Sequence, residues 1–135
     1  MEARKDPART LLIAIQPSLY DRILTTLLNN SRFILLQAIH GEATVNLFRS
    51  RNDISLLLIS AGLPETDCFA TITGIRLINK RVPIILLSDY MTLDTIRLAM
   101  TIGCNEIIQT PDTPEPVEAI INKYLQGESF HLPSK

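Results

Sequence analysis

Ser60 closes the aliphatic run Ile54–Ile59, and Ser88 closes the run Pro83–Leu87. A serine hydroxyl becomes a useful nucleophile only with a base beside it. Neither His40 nor His131 is spaced to serve either serine. The carboxylates are no better placed. Asp89 follows Ser88, but adjacent residues of a strand face opposite ways. Asp21 falls inside a helical stretch and Asp67 beyond Pro64, so both read as solvated or capping acids. Cys68 and Cys104 are distant in sequence, with no CxxC and no histidine at ligand spacing. They read as two reduced thiols, not as a disulfide framework or a zinc site. No glycine-rich loop is available to cradle a phosphate, since Gly62 has no close companion. The residues imply no metal, no cofactor and no enzyme.

The segments that carry these residues have a regular order. Leu11–Ile15, Phe33–Leu36, Ile54–Ile59 and Pro83–Leu87 are short aliphatic runs, and Ile107–Ile108 is a weaker fifth. Apolar runs without alternation suit strands buried on both faces, as in a parallel sheet covered by helices. Helical spacing fills the intervals. Ser18 can cap Leu19–Leu28, with a stripe of Ile23, Leu24, Leu27 and Leu28. Glu42–Ser50 sets Ala43, Leu47 and Phe48 to one side, and Asp67–Asn79 offers Phe69, Ile72, Ile75 and Leu77. Thr92–Ile102 places Leu93, Ile96, Ala99 and Met100 on a stripe, with Gly103 as a C-terminal stop. Pro114–Leu125 carries the cleanest stripe, Val117, Ile120, Ile121 and Tyr124.

Strand alternating with helix five times predicts a doubly wound α/β fold: a five-stranded parallel sheet of order 2-1-3-4-5, flanked by five helices, flavodoxin-like. Its 135 residues suit one domain over 10–125, with a flexible leader at 1–9 and a flexible tail at 126–135. Hydrophobic residues make up 46% of the chain, enough for a core. The net charge of -1, with acids and bases interspersed, argues against direct nucleic-acid binding. No apolar run approaches the roughly 18 residues of a membrane span, and no h-region follows the N-terminal charges. A cytoplasmic protein is expected.

The strand ends resemble the receiver domains of response regulators, the CheY-like family of two-component signalling, over about residues 10 to 125. The most specific stretch is Ile54–Cys68, ISLLLISAGLPETDC. In receivers such a strand ends in the phosphoaccepting aspartate, with a proline four residues on and an Asp-Gly pair soon after. Here Ser60 holds the acceptor position, Pro64 matches the proline, and Asp67-Cys68 replaces Asp-Gly. Val82–Ser88 resembles the strand that ends in the family's hydroxyl residue. Gly103–Pro111 resembles the segment that ends in Lys-Pro, with Thr110 in place of the lysine.

The resemblance also shows what is missing. Receivers hold Mg²⁺ through an acidic pair after the first strand, and Ile15 and Gln16 stand there in this chain. Mg²⁺ is a hard cation usually held through carboxylates. Transfer to a carboxylate also needs a cation on the phosphoryl oxygens, and Thr110 is neutral. Only Ser88 remains of the usual set, which predicts a pseudo-receiver that is not phosphorylated. The resemblance further implies a cis peptide before Pro111. Strand 5 carries Ile107 where active receivers place a switching aromatic. Leu98, Ile102 and Ile107 form a candidate face for a protein partner or a homodimer. The reading is a signalling domain that acts by protein binding. Its alternatives are a phosphorelay through a non-standard acceptor, and a small-molecule sensor that uses the neutral pocket.

Overall fold

The structure is a computed structural model that describes residues 8–15, 21–62, 67–89, 91–111 and 113–129, the last four of these as backbone only. Strands β1 (Arg9–Ala14), β2 (Phe33–Gln37), β3 (Ile54–Ser60), β4 (Ile84–Ser88) and β5 (Glu106–Gln109) form one sheet. They alternate with helices α1 (Asp21–Leu28), α2 (Gly41–Ser50), α3 (Cys68–Ile78), α4 (Leu93–Ile102) and α5 (Glu115–Ser129). Every strand pair is parallel, and the order is β2-β1-β3-β4-β5, as the sequence predicts. The domain edges lie further out than expected. Arg9 already belongs to β1, its N–H bonded to the Arg32 carbonyl at 2.9 Å, and α5 runs past Leu125 to Ser129.

Burial on both faces explains why the central runs lack alternation. Leu11, Ile13, Leu56, Leu58 and Ile85 pack with Ile23, Leu24 and Leu27 of α1 and with Val117 and Ile121 of α5. Their strand neighbours Leu12, Ala14, Leu57, Ile59 and Leu86 pack with Phe48 of α2, Ile72 and Ile75 of α3, and Ala99 of α4. Each fully buried Leu or Ile contributes about 1.5–3 kcal/mol, so these two layers dominate the stability.

Local signals fix several boundaries. The Asp67 carboxylate accepts from the N–H groups of Phe69 and Ala70 at 3.0 and 3.3 Å, so it is the N-cap of α3. The Thr92 hydroxyl accepts from Thr95 N–H and starts α4. Gly103 ends α4 at φ 118°, a left-handed turn that strains any residue with a Cβ. The proposed cap Ser18 lies outside the described residues.

The helix stripes needed correction at their ends. Leu28 and Leu77 are exposed, and so are Leu93 and Met100 of the α4 stripe. Only Ala99 of α4 is fully buried. Helical spacing fixes an angle but not how far the covering layer extends, and α4 lies over the sheet's edge at β5, beside α3. In α2 it is the angle that differs: Gly41, Thr44 and Phe48 form the buried face, Ala43 is exposed, and the Thr44 hydroxyl donates to the His40 carbonyl. No helix among the described residues is long and apolar enough to cross a membrane.

Candidate functional site

The carboxyl ends of the parallel strands bring four of the singled-out residues, Ile15, Ser60, Ser88 and Thr110, into one row. Ala14 is registered against Ile59, and Ser60 against Leu87. Ile15, one step beyond β1, is therefore level with Ser60. Ser88 is registered against Gln109, and the Thr110 N–H donates to the Ser88 carbonyl at 3.0 Å, so Thr110 closes the row. The Ala61 N–H likewise donates to the Leu87 carbonyl at 2.8 Å. Gln16 and Pro64 lie outside the described residues.

The strand alternation decides which face each side chain takes. Leu56 and Leu58 belong to the layer under α1 and α5, so Ser60 turns to that side, together with Ile15 and Leu87. Ile15 is a core residue at 1% exposure. Ser60 is fully buried, and its Oγ has no hydrogen-bond partner. A hydroxyl at a strand end commonly satisfies a nearby backbone group. Here it does not, and the described side chains on its side of the sheet, Ile15 and Leu87, are aliphatic. A buried hydroxyl without a partner costs about 1–3 kcal/mol. Ser88 lies on the opposite face with Leu86 and is also buried.

Among the described residues, no carboxylate lies in this row. Asp89 is exposed, Asp67 caps α3, and Asp21 begins α1 as an exposed residue. His40 is the exposed N-cap of α2, without a side-chain capping bond, and His131 is outside the described residues. A Mg²⁺ site needs hard, charged oxygens. Among the described residues the donors here are hydroxyls of serine and threonine and carbonyls, beside a buried isoleucine. That set does not fit the metal.

The implied cis bond before Pro111 is also corrected. No peptide bond among the described residues is cis, so Thr110–Pro111 is trans. Trans is the lower-energy form of an X-Pro bond by about 0.5–1 kcal/mol. Thr110 holds its strand-end position through its own N–H bond to Ser88. Of the candidate face, Leu98 is 45% exposed, but Ile102 and Ile107 are half-buried against the α2–α4 core layer. The three therefore do not form one open patch. A feature without a sequence signal is an open cleft of about 600 Å³ between the first turns of α2 and α3, bordered by His40, Glu42, Asp67 and Thr71. It is assembled by two helix starts distant in sequence, so no spacing rule could find it.

No protein-family model matches the sequence, and no curated protein matches it significantly. Solved structures do. A CheY-like receiver domain protein from Methanospirillum hungatei JF-1 is 16% identical, with 93% of this chain and 100% of that one covered at a TM-score of 0.77. A response regulator receiver domain protein from Clostridium thermocellum is 21% identical, with 90% and 97% covered and a TM-score of 0.76. The receiver domain of the sensor histidine kinase PA1611 of Pseudomonas aeruginosa PAO1, solved with magnesium in its active-site cleft, is 17% identical, with 88% and 98% covered at 0.75. With this strand order and alignments over 88–93% of its length, the chain has the CheY-like fold of response-regulator receiver domains.

Proposed function

We propose that this is a receiver-fold signalling domain that takes no phosphoryl group and acts by binding another protein. The observation that carries the reading is Ser60: a fully buried, unpartnered hydroxyl beside the core residue Ile15, where a receiver keeps charge. A buried hydroxyl lacking a base is a poor nucleophile. Thr110 brings no cation to steady phosphoryl oxygens. The replacements remove carboxylates that repel one another when no metal is present, which favours one unswitched state. Output then depends on surface complementarity and on how much domain is present, not on a phosphorylation cycle.

Incubation with acetyl phosphate and Mg²⁺, read by intact mass, tests this. The expected result is no mass change. A gain of one phosphoryl group that Ser60→Ala abolishes would overturn the reading. Millimolar Mg²⁺ is also expected to leave the melting temperature unchanged against K⁺ at matched ionic strength. A ligand bound only by the folded state, at a hundredfold excess over its Kd, would add about 2.7 kcal/mol.

A further inference from the structure

Strand β2 is at the edge of the sheet, with β1 as its one strand neighbour. In a parallel pair, alternate residues of a strand direct both backbone groups to the neighbour. Arg32 accepts from the Arg9 N–H, and the Ala38 N–H donates to the Ile13 carbonyl. With the β1–β2 register, these bonds assign Arg32, Ile34, Leu36 and Ala38 to β1. Phe33, Leu35 and Gln37 therefore turn their backbone groups outward. The Phe33 N–H is taken by the Asn30 carbonyl at 3.0 Å, which leaves its carbonyl outward. Among the described residues, no other strand pairs with this edge.

Edge strands are usually blunted by a charge, a proline or a bulge. The sequence Phe33-Ile34-Leu35-Leu36-Gln37 contains none of these. The opposite edge is treated differently. There β5 begins with Glu106, whose carboxylate receives the Tyr124 hydroxyl at 2.8 Å and the Lys123 ammonium at 3.2 Å. On β2, by contrast, Ile34 stands 48% exposed on the α2 side, with Ile39 as exposed just beyond the strand.

We infer that β2 pairs antiparallel with β2 of a second copy of this chain, about a two-fold axis through Leu35 and normal to the sheet. The pattern of outward groups is self-complementary about that axis. The Leu35 N–H meets the Leu35 carbonyl of the second copy and the reverse, and each Gln37 N–H meets the other copy's Phe33 carbonyl. Directly opposed residues share a face, so the exposed Ile34 lies against Leu36 of the second copy. The charges at the two ends of the strand agree with this. Arg32 enters β2, and exposed Glu42 lies in the first turn of α2 after it. Antiparallel pairing brings the basic end of one copy beside the acidic end of the other. This match of hydrogen bonds and charge selects a second copy as the occupant. An isologous two-fold contact also closes on itself and does not propagate into a filament.

The inference deepens the protein-binding reading above, naming this chain as a partner, and rests on it only to that extent. Sedimentation velocity of the full chain over micromolar to sub-millimolar concentration is the test. A reversible dimer is expected. Ile34→Lys, at an exposed position, is expected to give a monomer with an unchanged circular dichroism spectrum. Arg32→Glu or Glu42→Arg alone is expected to weaken the dimer at least tenfold, and the two together to restore it. A monomer at every concentration would overturn the inference, leaving the edge to a strand of another protein. So would a dimer that survives Ile34→Lys but is lost in Met100→Lys, which would place the contact on α4. Neither result bears on the acetyl phosphate experiment, so the two readings fail separately.

Discussion

At the scale of single residues, Ser60 ends β3 as a buried hydroxyl without a hydrogen-bond partner. The backbone still ends β3 level with Ile15 and Leu87, and the ladder bonds on either side are intact. The hydroxyl has been left without a partner between aliphatic side chains. Ser60→Ala removes the orphan group at little loss of volume. It is expected to leave stability unchanged or to raise it by about 1 kcal/mol, measured by urea denaturation. Ser60→Asp is expected to lower it, because a carboxylate would be buried with no cation to pair it. A clear loss of stability in Ser60→Ala would mean that the hydroxyl is satisfied after all. These residue types were legible in the sequence, since Ile15, Ser60 and Thr110 could be read from their places at the ends of aliphatic runs. The missing partner of Ser60 was not, because it depends on what surrounds the strand end in three dimensions. The bond before Pro111 was misread for a related reason. The resemblance supplied a cis bond, but Thr110 stands where the resembled segment has lysine, and the bond is trans.

At the scale of elements, the helices and strands are tied together at the amino-terminal end of the sheet by Arg76. Its guanidinium donates to the Gly103 carbonyl at 3.1 and 2.8 Å, to the Asn79 carbonyl at 3.1 Å, and to Asn105 Oδ1 at 3.0 Å. Asn105 Oδ1 also accepts from the Ile84 N–H, so one side chain joins the ends of α3 and α4 to the start of β4. Gly103 permits this in two ways. Its φ of 118° is a glycine conformation, and a Cβ there would lie 2.8 Å from Arg76 Nε. Gly103→Ala is therefore expected to cost about 1–2 kcal/mol of stability, and Arg76→Met about 1.5–3, by chemical denaturation. Because both act on the same latch, the double variant should cost less than the sum. Simple additivity would show that the latch is not one unit. The glycine stop was legible as a helix terminator. The arginine was not, because its partners lie 27 and 29 residues away. The α4 stripe failed for a similar reason: Leu93 and Met100 have the spacing of buried residues, but the sheet ends before it can cover them.

At the scale of the whole molecule, the sheet order could be read from the sequence because burial on both faces leaves uninterrupted aliphatic runs, and right-handed crossovers allow few orders for them. The same two-sided burial sets how the fold responds to alkali. Burial pushes the Cys68 thiol up to about 11, with Asp67 beside it adding to the effect. Burial pushes the Cys104 thiol up to about 12. Both sit in the layer between the sheet and helices α2–α4, where a thiolate would be poorly solvated. In the unfolded chain a thiol ionises near its ordinary value of 9.0. Between that value and the folded ones, the folded state holds protons that the unfolded state has released. Stability must then fall as pH rises. The contribution is complete below about pH 9 and is lost as pH rises through 11 and 12. Tyr124 adds to the same trend, since burial first and then its bond to Glu106 raise it to about 12. Urea denaturation followed from pH 8 upward is expected to show declining stability from about pH 9. Replacing both cysteines by alanine is expected to flatten part of that decline, while lowering stability at pH 8 through lost packing. The folded protein should also react slowly with a thiol reagent at pH 8, because both sulfurs are buried and protonated. Rapid labelling of either cysteine without unfolding, or an alkaline decline that is the same in the double variant, would show that the layer under α3 and α4 is open to water.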